Sequence, residues 1–170
     1  MSKNIVLTGI MGCGKTVIGM NIAKTLEYKF VDVDDYIEIT FNQTIAQLFE
    51  KGEEYFRNIE EDTIKKYTTE SNLIISTGGG AVLRQSNVDN LKQNGIIFFI
   101  NRPIKTIVET IETSHRPLLA SGCNVLHDIF ETRYSIYKRT CDYEIIGEKT
   151  VNKTVAEIIE KYKAQEDNSL

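Results

Sequence analysis

Gly9-Ile10-Met11-Gly12-Cys13-Gly14-Lys15-Thr16 matches the pattern G-x-x-x-x-G-K-[ST] in full. Glycines at those spacings let backbone N–H groups turn inward around a phosphate, and the following helix adds its N-terminal donors. Lys15 is placed to reach the β- and γ-phosphates of a nucleoside triphosphate, and Thr16 to offer its hydroxyl to Mg²⁺. Gly12, Cys13, Gly14, Lys15, Thr16 and Val17 are therefore the candidate nucleotide-binding residues. The alternative, a glycine-rich turn with an incidental lysine, leaves the full pattern unexplained.

Two carboxylates follow. Asp32 and Asp34 are two residues apart on an expected strand, so both point to one face at its carboxyl end. Phosphoryl transfer needs a carboxylate near the metal and one that orients or deprotonates the attacking hydroxyl. The plainer reading is that Asp34 or Asp35 caps the next helix. Gly78-Gly79-Gly80 permits close backbone approach to a ligand, or simply makes a tight turn.

The six arginines are Arg57, Arg84, Arg102, Arg116, Arg133 and Arg139. Arg57 has Glu60 one turn on, which by itself describes an ion pair on a solvated helix face. Arg116 precedes Pro117-Leu118-Leu119 in a polar stretch that could close over a nucleotide. Arg133 lies four residues before Tyr137, so the two share a helix face, and arginine suits bidentate carboxylate binding.

The remaining composition narrows the classes. The 170 residues carry 20 Lys plus Arg against 24 Asp plus Glu, a net charge of −4, which gives no reason to expect a nucleic-acid partner. The 41% apolar and 26% charged composition is that of an ordinary globular domain. Three widely separated cysteines lack metal or redox spacing, which fits a reduced cytoplasmic chain. No apolar run is long enough to span a membrane. No D-x-x-G occurs, and Asn152-Lys153-Thr154-Val155 lacks the aspartate of a guanine-reading motif, so a GTPase switch is disfavoured.

The positioning elements are legible from periodicity. Strands are expected at Ile5–Leu7, Phe30–Asp34, Leu73–Thr77, Ile96–Ile100 and Tyr143–Ile146. Helices are expected at Lys15–Leu26, from a Thr44–Gln47 capping box to Phe49, from Glu53 to Tyr67, near Ser86–Asn94, after Pro103, and at Leu126–Thr140. Gly52 is expected to end the short helix. A second capping box, Thr154–Glu157, is expected to start the last helix. Ser114 to Asn124 is expected as loop, and 164–170 as a loose tail. Nearly continuous apolar strands separated by helices indicate a three-layer α/β domain with a parallel sheet. One domain over 1–163 is expected.

In order and spacing the set resembles the shikimate kinases, a P-loop group similar to nucleoside monophosphate kinases. The resemblance rests on the phosphate loop, Phe30–Asp34, Phe56-Arg57-Asn58-Ile59-Glu60, Ser76–Ala81, Arg116-Pro117-Leu118-Leu119 and Arg133–Tyr137, and it covers about 4–162. It implies a five-stranded all-parallel sheet in the order 2-3-1-4-5, a substrate-binding helical segment at about 34–60, and a lid at about 112–124. The implied reaction is phosphorylation of the shikimate 3-hydroxyl by ATP, on the route to chorismate and aromatic amino acids. By the same resemblance Arg57 and Arg133 grip the shikimate carboxylate, and Asp34 and the backbone of Gly79 bind its hydroxyls. Asp34 is then the candidate base, and Gly80 adds a contact. Phe49 and Phe56 form an apolar wall, Thr16 and Asp32 serve Mg²⁺, Lys15 serves the phosphates, and Arg116 enters from the lid. A monomer is implied.

Two positions depart from the family pattern. Glu109 stands where many members have an arginine flanking adenine, so adenine contacts stay unassigned, and Ser135 stands where proline often follows the late arginine. The competing readings are a related small-molecule kinase, such as a gluconate kinase, and a nucleotide-binding module without catalysis. Arg57 and Arg133 weigh against the first, and intact Lys15, Thr16, Asp32 and Asp34 against the second.

Overall fold

A computed structural model describes residues 2–113, 123–147 and 150–167. Five strands, β1 (Asn4–Thr8), β2 (Lys29–Asp32), β3 (Leu73–Ser76), β4 (Gly95–Asn101) and β5 (Tyr143–Ile146), form one sheet. All neighbours pair in parallel, in the order β2-β3-β1-β4-β5. This is the expected order. Among the described residues eight helices surround the sheet: α1 (Lys15–Leu26), α2 (Val33–Phe41), α3 (Ile45–Glu50), α4 (Glu53–Thr68), α5 (Gln85–Gln93), α6 (Ile104–Thr113), α7 (Cys123–Thr140) and α8 (Val151–Asp167).

Alternation along the strands builds a core on each face. Ile5, Leu7, Ile74, Phe98 and Ile100 meet Ile22 of α1 and Ile158 of α8 on one side. Val6, Val31, Ile75, Ile97 and Phe99 meet Ile37, Leu48, Ile64 and Tyr137 on the other. Each such side chain, fully buried, contributes roughly 1.5–3 kcal/mol of transfer free energy, which is why both faces must be covered.

Several local expectations change. Phe30–Asp34 is not one strand: β2 stops at Asp32, and Val33 opens α2, a helix the periodicity did not suggest. Asp32 caps that helix, its Oδ1 accepting from the N–H groups of Asp34 (3.2 Å) and Asp35 (3.4 Å). The Thr44–Gln47 capping box is present. Gly52 follows α3 and leads into α4 with φ 117°, a conformation that favours glycine. The last helix starts at Val151, not Thr154. Thr154 is buried inside it, and its N–H donates to the Thr150 carbonyl at 3.0 Å.

The tail also differs. Helix α8 continues through Asp167, with Gln165 accepting from the Tyr143 hydroxyl (2.9 Å) and Glu166 from the Lys3 N–H (3.2 Å). These partners are remote in sequence. The loop expected to reach Asn124 yields to α7 at Cys123. Of the expected lid at about 112–124, residues 112–113 fall in α6 and 123–124 in α7, and 114–122, Arg116 among them, lie outside the described residues, as do 168–170.

Candidate active site

The phosphate loop joins β1 to α1. Gly9 (φ 140°), Gly12 (φ 79°) and Gly14 (φ 102°) all take conformations that side-chain-bearing residues avoid. At Gly9 space is also closed: a Cβ would sit 2.8 Å from the Ile100 carbonyl oxygen and 2.9 Å from Cys13 Sγ. The first N–H groups of α1, from Lys15 to Val17, precede the first intrahelical bond, which Ile18 donates to the Gly14 carbonyl. They are the donors a phosphate would take. Val17's side chain itself is exposed, so only its backbone belongs to this cradle. Lys15 is buried. Its Nζ donates to the Gly9 (2.8 Å) and Ile10 (3.1 Å) carbonyls and lies 3.8 Å from Cys13 Sγ, so the ammonium is held over the loop.

Asp32 and Thr16 meet at the carboxyl end of β2, where Thr16 Oγ1 donates to Asp32 Oδ2 at 3.0 Å. One carboxylate oxygen thus faces the loop and the other caps α2. A hydroxyl and a carboxylate are hard oxygen donors of the kind Mg²⁺ takes when water and phosphate oxygens complete its shell. Among the described residues no group of three or more His, Cys, Asp or Glu is arranged to hold a metal.

Asp34, on the first turn of α2 rather than on the strand, turns toward the sheet end. Among the described residues its Oδ1 is buried without a hydrogen-bond partner, and so is Oε1 of Glu60. The two atoms converge on Gly78, where a Cβ would lie 2.7 Å from Asp34 Oδ1 and 3.0 Å from Glu60 Oε1. Burial first, then the negative charges of Glu60 and Asp32, push the Asp34 carboxyl up to about 6, while Lys15 pulls it down. A carboxyl so placed is suited to exchange a proton near neutral pH.

Helix α4 supplies the wall opposite. Arg57 and Glu60 are paired (Nη1 to Oε2, 2.7 Å) with side chains only 8% and 1% exposed. This is no solvated face, and burial raises the Glu60 carboxyl despite Arg57. Phe49 and Phe56 stack at 4.5 Å, and the Arg57 guanidinium lies over both rings, at 5.5 and 5.3 Å. A Cβ on Gly80 would collide with that guanidinium. From α7, the Arg133 charge reaches Glu60 and Tyr137. Tyr137 is fully buried, stacks on Phe99 at 4.9 Å, and donates its hydroxyl to the Gly79 carbonyl at 2.5 Å. Burial pushes its hydroxyl up to about 12, so it stays a donor.

The structure therefore brings together Lys15, Thr16, Asp32, Asp34, Arg57, Phe49, Phe56, Gly79, Gly80 and Arg133. Three participants carried no assigned role from sequence. Glu60 showed only helical spacing to Arg57. Tyr137 was visible as the end of R-x-x-x-Y. Arg84 had no signal: it donates to Asn58 (2.8 Å) and Glu61 (2.9 Å) and pairs with Glu54, bracing the outer face of α4.

Comparison with known proteins accords with this geometry. The family model described as shikimate kinase matches residues 11–163. A shikimate kinase of Clostridium botulinum (strain Eklund 17B / Type B) is 43% identical over 158 residues, covering 93% of this chain and 96% of that one. The structure of a shikimate kinase from Acinetobacter baumannii in complex with shikimate superposes with a TM-score of 0.85 at 30% identity, covering 100% of this chain and 96% of that one. A gluconokinase from Sinorhizobium meliloti, at 15% identity, a TM-score of 0.67 and coverage of 98% and 94%, shares the fold alone. A match of this extent means that the chain belongs to the shikimate kinase family.

Proposed function

We propose that the chain transfers the γ-phosphoryl group of ATP to the 3-hydroxyl of shikimate, giving shikimate 3-phosphate and ADP. The observation that carries this reading is the buried Arg57–Glu60 pair within reach of the Arg133 charge, with Glu60 and Asp34 converging on Gly78 and Asp34 in the field of Lys15. A buried guanidinium with a second arginine nearby suits a ring acid bearing one carboxylate and several hydroxyls.

In this reading Arg57 and Arg133 hold the acceptor carboxylate, and Phe49 and Phe56 lie along the ring. Gly79 and Gly80 offer backbone donors. Asp34 accepts the proton of the attacking hydroxyl or holds that hydroxyl in line. Lys15, with the N–H groups of Gly12, Cys13, Gly14, Thr16 and Val17, cradles the ATP phosphates. Lys15 spends two of its three donors on the Gly9 and Ile10 carbonyls and would turn toward the phosphates when they bind. Thr16 and Asp32 would hold Mg²⁺, which when bound neutralises charge on the β- and γ-phosphates. Arg116 would approach the transferring group from a lid at 112–124. Residues 1–163 would form one kinase domain with the acceptor-binding segment at 34–60. The protein would act as a cytoplasmic monomer without nucleic-acid or membrane partners. Among the described residues no helix is long and apolar enough to cross a membrane.

The test is coupled ADP release from MgATP with shikimate as acceptor, and with gluconate and nucleoside monophosphates as controls. Turnover with shikimate is expected. Turnover only with another acceptor would overturn the assignment.

A further inference from the structure

The three carbonyls of Gly78-Gly79-Gly80 are all engaged, each by a different group. Gly78 O accepts from Ala81 N–H at 3.2 Å and Gly80 O from Leu83 N–H at 3.0 Å, both within the short 3-10 turn Ala81–Leu83. Gly79 O is held differently, by the Tyr137 hydroxyl from α7. Among the described residues, the N–H groups of Gly79 and Gly80 donate to neither main chain nor side chain. The segment thus spends its acceptors internally and keeps two donors.

A peptide unit is planar, and no cis bond occurs here, so a carbonyl and the next N–H point to opposite edges. Holding the Gly79 carbonyl against α7 therefore fixes the direction of the Gly80 N–H. Glycine has no side chain to restrain that peptide, and its backbone is the least ordered of any residue when unheld. The restraint must come from outside. Tyr137 is suited to it: its ring is clamped on Phe99, its exposure is nil, and its hydroxyl has a fixed position. The space a Gly80 Cβ would take is filled by the Arg57 guanidinium, so the Gly79–Gly80 peptide borders the group that would take the acceptor's carboxylate.

We propose that Tyr137 is a positioning residue for acceptor binding, its hydroxyl holding the Gly79 carbonyl so that the Gly80 N–H is presented beside Arg57 to the acceptor's carboxylate. The proposal rests on the shikimate reading above. It assigns α7 two tasks one turn apart: Arg133 supplies charge, and Tyr137 orients a neutral donor supplied by another segment.

Tyr137→Phe removes one oxygen and keeps the ring. The variant is expected to raise the shikimate KM about five- to tenfold while kcat and the ATP KM stay within about twofold, as befits one lost restraint on a binding hydrogen bond. A purely structural role would lower the thermal midpoint and leave the KM ratio between the two substrates unchanged, and that result would overturn the proposal. A second measurement needs no variant. The chain has 11 glycines, so glycine-selective ¹⁵N labelling gives a sparse amide spectrum. Saturating the wild-type protein with shikimate is expected to move the Gly80 amide proton downfield. An unmoved Gly80 amide would overturn the proposal even if Tyr137→Phe fails to fold. Arg133→Ala separates the two levels: a raised shikimate KM there, with Tyr137→Phe unchanged, keeps the shikimate reading and removes the role of Tyr137. No turnover of shikimate by the wild type removes both.

Discussion

Arg57 Nη1 and Glu60 Oε2 lie 2.7 Å apart inside the protein, one helical turn apart on α4, with neither side chain open to solvent. Removing one partner of a buried pair leaves an uncompensated charge, which costs about 3–5 kcal/mol. Glu53, 3.5 Å from Arg57 Nε but 64% exposed, is a poor replacement. Glu60→Ala should therefore lower unfolding stability in urea by about 3 kcal/mol, the lower end of that range, and raise the shikimate KM because Arg57 shifts. A loss below about 1 kcal/mol would show that Arg57 re-pairs with Glu53 at little cost.

Asp34, the proposed base, sits in an environment unfavourable to its charge, set by burial and by the Glu60 and Asp32 carboxylates. Its carboxyl ionises near 3.8 when unfolded and at about 6 in the fold. Between those values the unfolded chain has released a proton that the folded one retains. The Asp34 contribution to stability therefore falls as pH rises from 3.8 to 6 and stays low above it. Asp34→Asn removes that penalty. Measured without nucleotide and with metal chelated, the thermal midpoint of the variant relative to wild type should rise between pH 4 and pH 8, while kcat drops by about 10²–10⁴. A relative midpoint that falls over that range would mean the ionised carboxylate is paired in the fold.

Asp32 carries two duties that substitution can separate. One oxygen accepts from Thr16 and the other caps α2. Asparagine is also a good N-cap, whereas alanine costs roughly 1 kcal/mol at such a position. Asp32→Asn is expected to keep wild-type stability yet need more Mg²⁺ for half-maximal activity. Asp32→Ala should show the same Mg²⁺ shift and the loss of stability. An unchanged Mg²⁺ requirement in both would confine Asp32 to capping.

What could be read in the sequence was whatever is encoded locally. The four-residue spacing of Ile18, Ile22 and Leu26 specifies α1, and the apolar runs specify the strands. The phosphate loop announces itself because its glycines meet a backbone requirement at fixed spacing. Asp32-Val33-Asp34 misled because alternating residues look like a strand, whereas Val33 and Ile37, four apart and both buried, mark a helix. The environment of Arg57–Glu60 was hidden for a different reason. The same spacing serves a wet face and a dry one, and only Gly78, Gly80 and Arg133, distant in sequence, decide which. Arg84 is recognisable solely through the face of α4 that it touches.

Gly80 offers the sharpest test of that hidden packing. Its φ of −100° and ψ of 0° suit any residue, so alanine brings no backbone strain. Space is the obstacle, since the new methyl would collide with the Arg57 guanidinium. Arg57 has little room to yield: Glu60 holds its Nη1, and the Phe49 and Phe56 rings lie beneath it. Overpacking of this kind costs about 1–3 kcal/mol, and here it falls on a group proposed to hold the acceptor. Gly80→Ala should thus raise the shikimate KM by more than about tenfold and leave the ATP KM within about twofold, because the phosphate loop is untouched. Steady-state kinetics with each substrate varied in turn decides the matter. An unchanged shikimate KM in a variant of normal stability would mean that Arg57, where it now lies, does not hold the acceptor.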